Sequence, residues 1–131
     1  MNHVLVDSSV WIDYFRNTNS TLDVLSDLID NNSVCTNDLI LAELIPFIKV
    51  AGKNELVELL MSITNVDIEI DWQDIIKMQT QNVKHGITKI GIPDLIILQN
   101  AIRNDLHLYS NDKHFKLMST IHRFKLFERT T

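Results

Sequence analysis

The sequence predicts an α/β fold on a parallel, or mostly parallel, sheet, and three observations lead there. His3-Val4-Leu5-Val6-Asp7 sets three apolar residues in a row without polar alternation, the pattern of a strand covered on both faces, and ends on a carboxylate. Leu106-His107-Leu108-Tyr109, far along the chain, hands over in the same way to the polar turn Ser110-Asn111-Asp112. Between them, segments with three-and-four apolar spacing alternate with short β-type runs, as in chains that cross over repeatedly to lay strands side by side. Ligands of open α/β sheets gather just beyond the strand ends, so acids at those ends are the first candidates for function.

Taken in order, Ser8 and Ser9 can cap a helix whose apolar side is Val10, Trp11, Ile12, Tyr14 and Phe15. Ser20 or Thr21 can start a second, with Leu22, Leu25, Leu28 and Ile29 inward, Asp23, Asp27 and Asp30 in solvent, and an end near Asn31-Asn32. Ser33-Val34-Cys35-Thr36 reads as a short strand, and Asn37 or Asp38 caps the next helix. In that helix Glu43 is the one polar side chain between Leu39 and Ile48, with Leu39, Ile40 and Phe47 as its neighbours one turn away. A carboxylate on such a face needs a cation, a proton or an opening to water. Pro46 lacks an amide donor and should kink or end the helix.

Gly52 and Lys53 lead into a helix with Leu56, Val57, Leu60 and Met61 inward. Asn65-Val66-Asp67-Ile68-Glu69-Ile70 alternates with period two, the pattern of a half-exposed edge strand. Asp71 or Trp72 opens a helix through Ile75, Ile76, Met78 and Val83, with Gln79 and Gln81 on its polar side, closing at His85-Gly86. After a short loop, Pro93 suits a helix start and Asp94 its first turn. That helix is apolar around most of its circumference, so its N-terminus is expected deep in the fold. Asn104-Asp105 makes a turn into the strand already described, Phe115, Leu117 and Met118 pack locally, and Ile121 to Phe127 reads as a last strand with Arg123 and Lys125 outward.

At 131 residues and 45% apolar content the chain is read as a single domain, 1–131, with material for one core. It has no basic n-region with a long apolar run and no span of roughly 20 apolar residues, which points to a cytoplasmic protein. The lone Cys35 excludes an internal disulfide and a cysteine-ligated zinc site, and reads as a small core residue. A net charge of −5 argues against nucleic acid at first sight, but residues 1–112 carry −9 and 113–131 carry +4. The basic part comprises Lys113, Lys116, Arg123, Lys125 and Arg129, with His114 and His122 among them. Such a segment is either a solvated surface or a strip that faces phosphates.

Asp7, Glu43, Asp94 and Asp112 stand out because they come from a strand end, a helix, a helix start and another strand end. Carboxylates that converge without basic partners repel one another, an arrangement stable when a divalent metal lies between them. Oxygen-only ligation suits Mg²⁺ or Mn²⁺, ions that activate water and neutralise a phosphoryl transition state.

The stretches Val4-Leu5-Val6-Asp7-Ser8-Ser9-Val10-Trp11-Ile12, Asp38-Leu39-Ile40-Leu41-Ala42-Glu43-Leu44, Ile92-Pro93-Asp94-Leu95-Ile96 and Leu108-Tyr109-Ser110-Asn111-Asp112-Lys113-His114-Phe115 carry a resemblance across nearly the whole chain. The sequence resembles PIN-domain ribonucleases, in particular VapC-type toxins of toxin–antitoxin pairs. The resemblance implies a PIN-like three-layer α/β/α sandwich and a metal-dependent endoribonuclease, with Asp7, Glu43, Asp94 and Asp112 as its acidic quartet and Mg²⁺ or Mn²⁺ as cofactor. It implies further that Ser110 supports the first acid, that a cognate antitoxin covers the pocket, and that the apolar early helices form a homodimer. Two positions depart from the family pattern. His114 stands where another acid is frequent, which weakens a second metal site, and Leu95 stands where a smaller residue is common, which narrows the pocket. RNA is expected to engage through the metal and through Lys113, Lys116, Arg123 and Lys125.

Three rival readings are distinguishable. A haloacid-dehalogenase-like phosphatase wants a second Asp where this chain has Ser9, and a receiver module wants a late Lys where it has Tyr109-Ser110. A catalytically weak or inactive PIN-like module that binds RNA or protein retains the same acids and is the alternative to the enzyme.

Overall fold

The computed structural model describes residues 3–16 and 19–128, with side chains from 23 onward in the second part. Leu22 as an inward residue and Arg129 in the basic strip therefore fall outside the described residues. Five strands form one sheet: β1 (Val4–Val6), β2 (Val34–Thr36), β3 (Thr64–Asn65), β4 (His107–Tyr109) and β5 (Lys125–Leu126). Their order is β3-β2-β1-β4-β5 and every pairing is parallel. The helices are α1 (Ser8–Phe15), α2 (Asn19–Asp30), α3 (Asp38–Val50), α4 (Asn54–Ser62), α5 (Trp72–Lys84), α6 (Ile92–Arg103) and α7 (Lys113–Met118). The architecture is the expected PIN-like α/β/α fold.

The chain leaves β1 toward β2 and β3, then returns past β1 to β4 and β5. Because parallel crossovers are right-handed, this reversal puts the helices before β3 on one face and those after it on the other. Packing of α1 on α2 and α3, of α3 on α4, and of α5 on α6 agrees with that division. Val4, Leu5 and Val6 are fully enclosed between β2 and β4, which accounts for their uninterrupted apolar character. The reversal occurs beside β1, so Asp7 and Ser110 emerge next to each other at the sheet's C-terminal edge. Cys35 is buried in β2 and burial pushes its thiol up to about 12, as befits a core residue.

Four local expectations need correction. The helix of Glu43 does not end at Pro46 but runs through it to Val50, with Asn37 capping its start through a 2.9 Å bond from the Ile40 amide. Residues 66–70 fall outside the edge strand: the Val66 amide still donates to the Thr36 carbonyl of β2 at 2.8 Å, but beyond it side chains take over, Asn100 donating to the Asp67 carbonyl at 2.9 Å and Gln99 clasping both backbone groups of Asp71. Ile121–Phe127 shrinks to the two residues of β5 because a turn after α7 consumes its first half. On α5 the inner face is Ile75, Met78 and Asn82, whereas Ile76 is 58% exposed and Val83 64%, and on α4 Met61, expected inward, likewise faces out beside the buried Leu60. Asn82 takes the buried place since its amide is fully used, donating to Gln79 at 3.0 Å and meeting His122 Nε2 at 2.7 Å.

Candidate functional site

Asp7 is only 5% exposed and its carboxylate is held by hydroxyls. Ser9 Oγ donates to Oδ2 at 2.9 Å and Ser110 Oγ donates to the same oxygen at 2.8 Å. Each hydroxyl in turn accepts a backbone amide, Ser9 from Asn111 and Ser110 from Asp112, both at 3.0 Å. An ionised carboxylate can only accept, so both hydroxyls donate across their contacts with Asp7, and the two Oγ atoms lie 3.3 Å from each other. This lattice stitches the start of α1 to the loop after β4, and the backbone bond from Asp7 N to the Tyr109 carbonyl at 2.9 Å lies directly beneath it. Ser8 and Ser9 do not cap α1 as expected; Asp7 holds the N-cap position, with its side chain turned to Ser9 and Ser110 instead.

Asp112 occupies the N-cap of α7, where Oδ1 accepts from the His114 amide at 2.9 Å. The His114 ring folds back on the same oxygen, Nδ1 lying 3.1 Å away. Asp94 approaches from the first turn of α6, behind Gly91 and Pro93. Ligand-type atoms of Asp94, Asp112 and His114 all fall within 4.8 Å of one another. Burial pushes the Asp94 carboxyl above its ordinary value, Asp7 and then Asp112 add to the rise, and His114 opposes it. Glu43 is raised as well, first by partial desolvation and then by Asp7 and Asp94, although the residue is exposed at the pocket rim. Water access is thus how the apolar face of α3 tolerates it. The four acids form one electrostatic unit, and among the described residues none of them pairs with Lys or Arg.

Beside this pocket a cleft of about 500 Å³ is lined by Ser110, Asp112, Lys113, Lys116, Phe127 and Glu128, among others. Lys113 and Lys116 are exposed there, whereas Lys125 is engaged by Asp105 at 2.8 Å, before the start of β4 and so toward the opposite end of that strand. Arg123 is exposed outside the cleft. Leu95 is fully buried in the apolar core. Sequence reasoning missed Ser9 as a partner of Asp7, treating it as a cap; its signal was a hydroxyl two residues beyond an acid at a strand end. Missed too was His114 as a member of the cluster rather than a gap in it.

An all-parallel sheet that gathers carboxylates with no Lys or Arg partner among the described residues at its C-terminal edge defines an α/β protein with an acid-lined pocket. The family model of the PIN domain matches residues 4–120, and the chain belongs to that family. Among solved structures it is similar to VapBC2 from Rickettsia felis bound to a promoter DNA fragment, with TM-score 0.73, 19% identity, and coverage of 95% of this chain and 96% of that one. FitAcB from Neisseria gonorrhoeae gives TM-score 0.71, 18% identity and coverage of 95% and 96%. VapC20 from Mycobacterium tuberculosis, described as a toxin that cleaves the sarcin-ricin loop, gives TM-score 0.60, 11% identity and coverage of 87% and 93%. No curated protein matches the sequence.

Proposed function

We infer that the protein is a metal-dependent endoribonuclease of the VapC type, the toxin of a toxin–antitoxin pair. The observation that carries this reading is the convergence of Asp7, Glu43, Asp94 and Asp112 without a Lys or Arg partner among the described residues, on a PIN fold whose solved neighbours include toxin–antitoxin complexes and an RNA-cleaving toxin. The donor set is rich in carboxylate oxygen and open to solvent, which fits Mg²⁺ or Mn²⁺; Asp94 and Asp112 would hold the ion, and Asp7 and Glu43 would add to the charge that attracts it. The ion supplies activation of water and neutralisation of the phosphoryl charge. Asp7, fixed by Ser9 and Ser110, keeps the floor of the pocket negative and immobile. Glu43, at the solvent rim with a raised carboxyl, is placed to accept a proton from the attacking water. Lys113 and Lys116 line the adjoining cleft, where they can follow an RNA backbone; Arg123 and Lys125 lie further out and contribute at longer range.

The partners of this reading are an antitoxin and a second copy of the chain. Exposed apolar side chains on α3 and α4, namely Phe47, Val50 and Met61, support contacts by those early helices. Among the described residues no helix is long and apolar enough to cross a membrane. RNA cleavage in Mg²⁺ or Mn²⁺, with a chelator control and the Asp94→Asn variant alongside, tests the proposal. Cleavage that ignores chelator and variant alike, or no cleavage in either metal, would sink the enzyme and leave the PIN-like binding module.

A further inference from the structure

We propose that His114 is a nitrogen ligand of the metal centre and makes it a site for a divalent transition ion in preference to Mg²⁺. This rests on the reading that the acidic pocket holds a divalent ion. Donors sharing one six-coordinate ion lie about 3 Å apart when adjacent and about 4.2 Å when opposite, given ligand distances near 2.1 Å. The 3.1 Å between His114 Nδ1 and Asp112 Oδ1, an ion-pair contact while the ring is protonated, equals the adjacent spacing, and ligand-type atoms of Asp94, Asp112 and His114 all lie within 4.8 Å of one another, so side-chain adjustment alone brings them onto one ion. The imidazole is also aimed by the backbone, because the N-cap bond from the His114 amide to Asp112 fixes both residues at the start of α7.

The chemistry of that donor decides the ion. Mg²⁺ is hard, demands oxygen and keeps its waters, whereas imidazole nitrogen suits the later ions of the first transition row; Mn²⁺, at the weak end of that series, takes carboxylate oxygen first and a nitrogen beside it. A carboxylate in place of His114 would give an all-oxygen site with another negative charge, open to Mg²⁺. With the ring present, the site has lower charge and one softer ligand, so the ionic attraction on which Mg²⁺ relies is weakened while the transition ion gains a bond. His114 thus replaces one kind of selectivity with another.

The test uses the full chain and Mn²⁺ as the probe, read by electron paramagnetic resonance. Wild type is expected to bind Mn²⁺ with a directly coordinated ¹⁴N coupling and to release it only to a Mg²⁺ excess on the order of 100-fold. His114→Asp, its fold checked by a thermal melt, should still bind Mn²⁺ but lose the nitrogen coupling, and the Mg²⁺ excess needed should fall about tenfold. Bound Mn²⁺ lacking nitrogen coupling in wild type, coupling that survives His114→Asp, or an unchanged Mg²⁺ excess would each overturn the inference. A wild type that binds no Mn²⁺ at all overturns the metal-centre reading itself. Mn²⁺ that is lost on Asp94→Asn yet shows no nitrogen coupling leaves that reading standing and removes His114 alone.

Discussion

Asp7 and Asp94 face the same pocket and are treated in opposite ways by the protein. Asp7 is enclosed and receives hydrogen bonds from the hydroxyls of Ser9 and Ser110, each of which in turn accepts one backbone amide. Asp94 receives no hydrogen bond among the described residues, and burial, Asp7 and Asp112 all disfavour its charge. One acid is thus satisfied from within and acts as an anchor. The other is left to be satisfied from outside, as a ligand for a cation must be.

Substitutions at the two acids put this contrast to the test. Asp94→Asn should lower RNA cleavage by orders of magnitude, as the ion that positions water and phosphate is misplaced. In metal-free buffer the same variant should be as stable as wild type or more so, an order that Mn²⁺ reverses, because the tighter binder gains more by mass action. Thermal melts with and without Mn²⁺ read both effects. Asp7→Asn also removes activity, but here the metal-free protein should lose about 1–2 kcal/mol as charge-assisted bonds become neutral ones. A stabilised Asp7→Asn in urea titration would erase the distinction between anchor and ligand.

Smaller effects follow at the supporting residues. Ser110→Ala deletes the 2.8 Å bond to Asp7 and the acceptor of the Asp112 amide, and should cost about 1–2 kcal/mol, most of it recovered by Ser110→Thr. Titration separates the acids further. Asp94 has a folded-state value above its ordinary 3.8, so it binds more protons folded than unfolded. Its unfavourable contribution is absent well below 3.8, grows as pH rises through that value, and levels off above the raised one. Metal-free wild type should therefore lose stability relative to Asp94→Asn across that window, and parallel curves would remove the proposed strain. Last, Lys113→Glu and Lys116→Glu should weaken RNA binding and flatten its salt dependence by about 0.7 for each phosphate that is no longer neutralised, as measured by filter binding. Lys125→Glu, already committed to Asp105, should change both less.

Much of this was legible in the chain, for reasons that differ between elements. Val4-Leu5-Val6 reads as a central strand because three unalternated apolar residues, two of them β-branched, suit a strand covered on both faces, and that reading sets Asp7 at the strand's end. Helix periodicity located every helix between Asp38 and Arg103. What periodicity misread was the buried amides. Asn37 and Asn100, 63 residues apart, bond at 2.9 Å, and Gln99 and Asn82 are equally enclosed, although such residues ordinarily belong on surfaces. Because the amides hold residues 66–71 and the inner face of α5, the expected edge strand is too long and Val83 is wrongly set inward. Asp94, Asp112 and Glu43 were found from residue type and context. The hydroxyl lattice under Asp7 was half found: Ser110, 103 positions away, was named through the resemblance, whereas Ser9, two residues from Asp7, was read as a helix cap because a serine at the start of a helix fits that role equally well.

That separation also orders events in time. Asp7 and Glu43 belong to the first half of the chain, yet Asp94, Ser110 and Asp112 belong to the last third, and β1 accepts its neighbour β4 only after the intervening segments have been made. Closing so long a loop carries an entropic cost that is recovered when β4 docks and the serines engage. A nascent or half-folded chain accordingly holds its first carboxylates in the open, without a floor, a cluster or a neighbouring cleft. The acids share a pocket only once β4 lies beside β1, the adjoining cleft gains its far wall only once β5 has followed, and the chemistry belongs to the finished molecule alone.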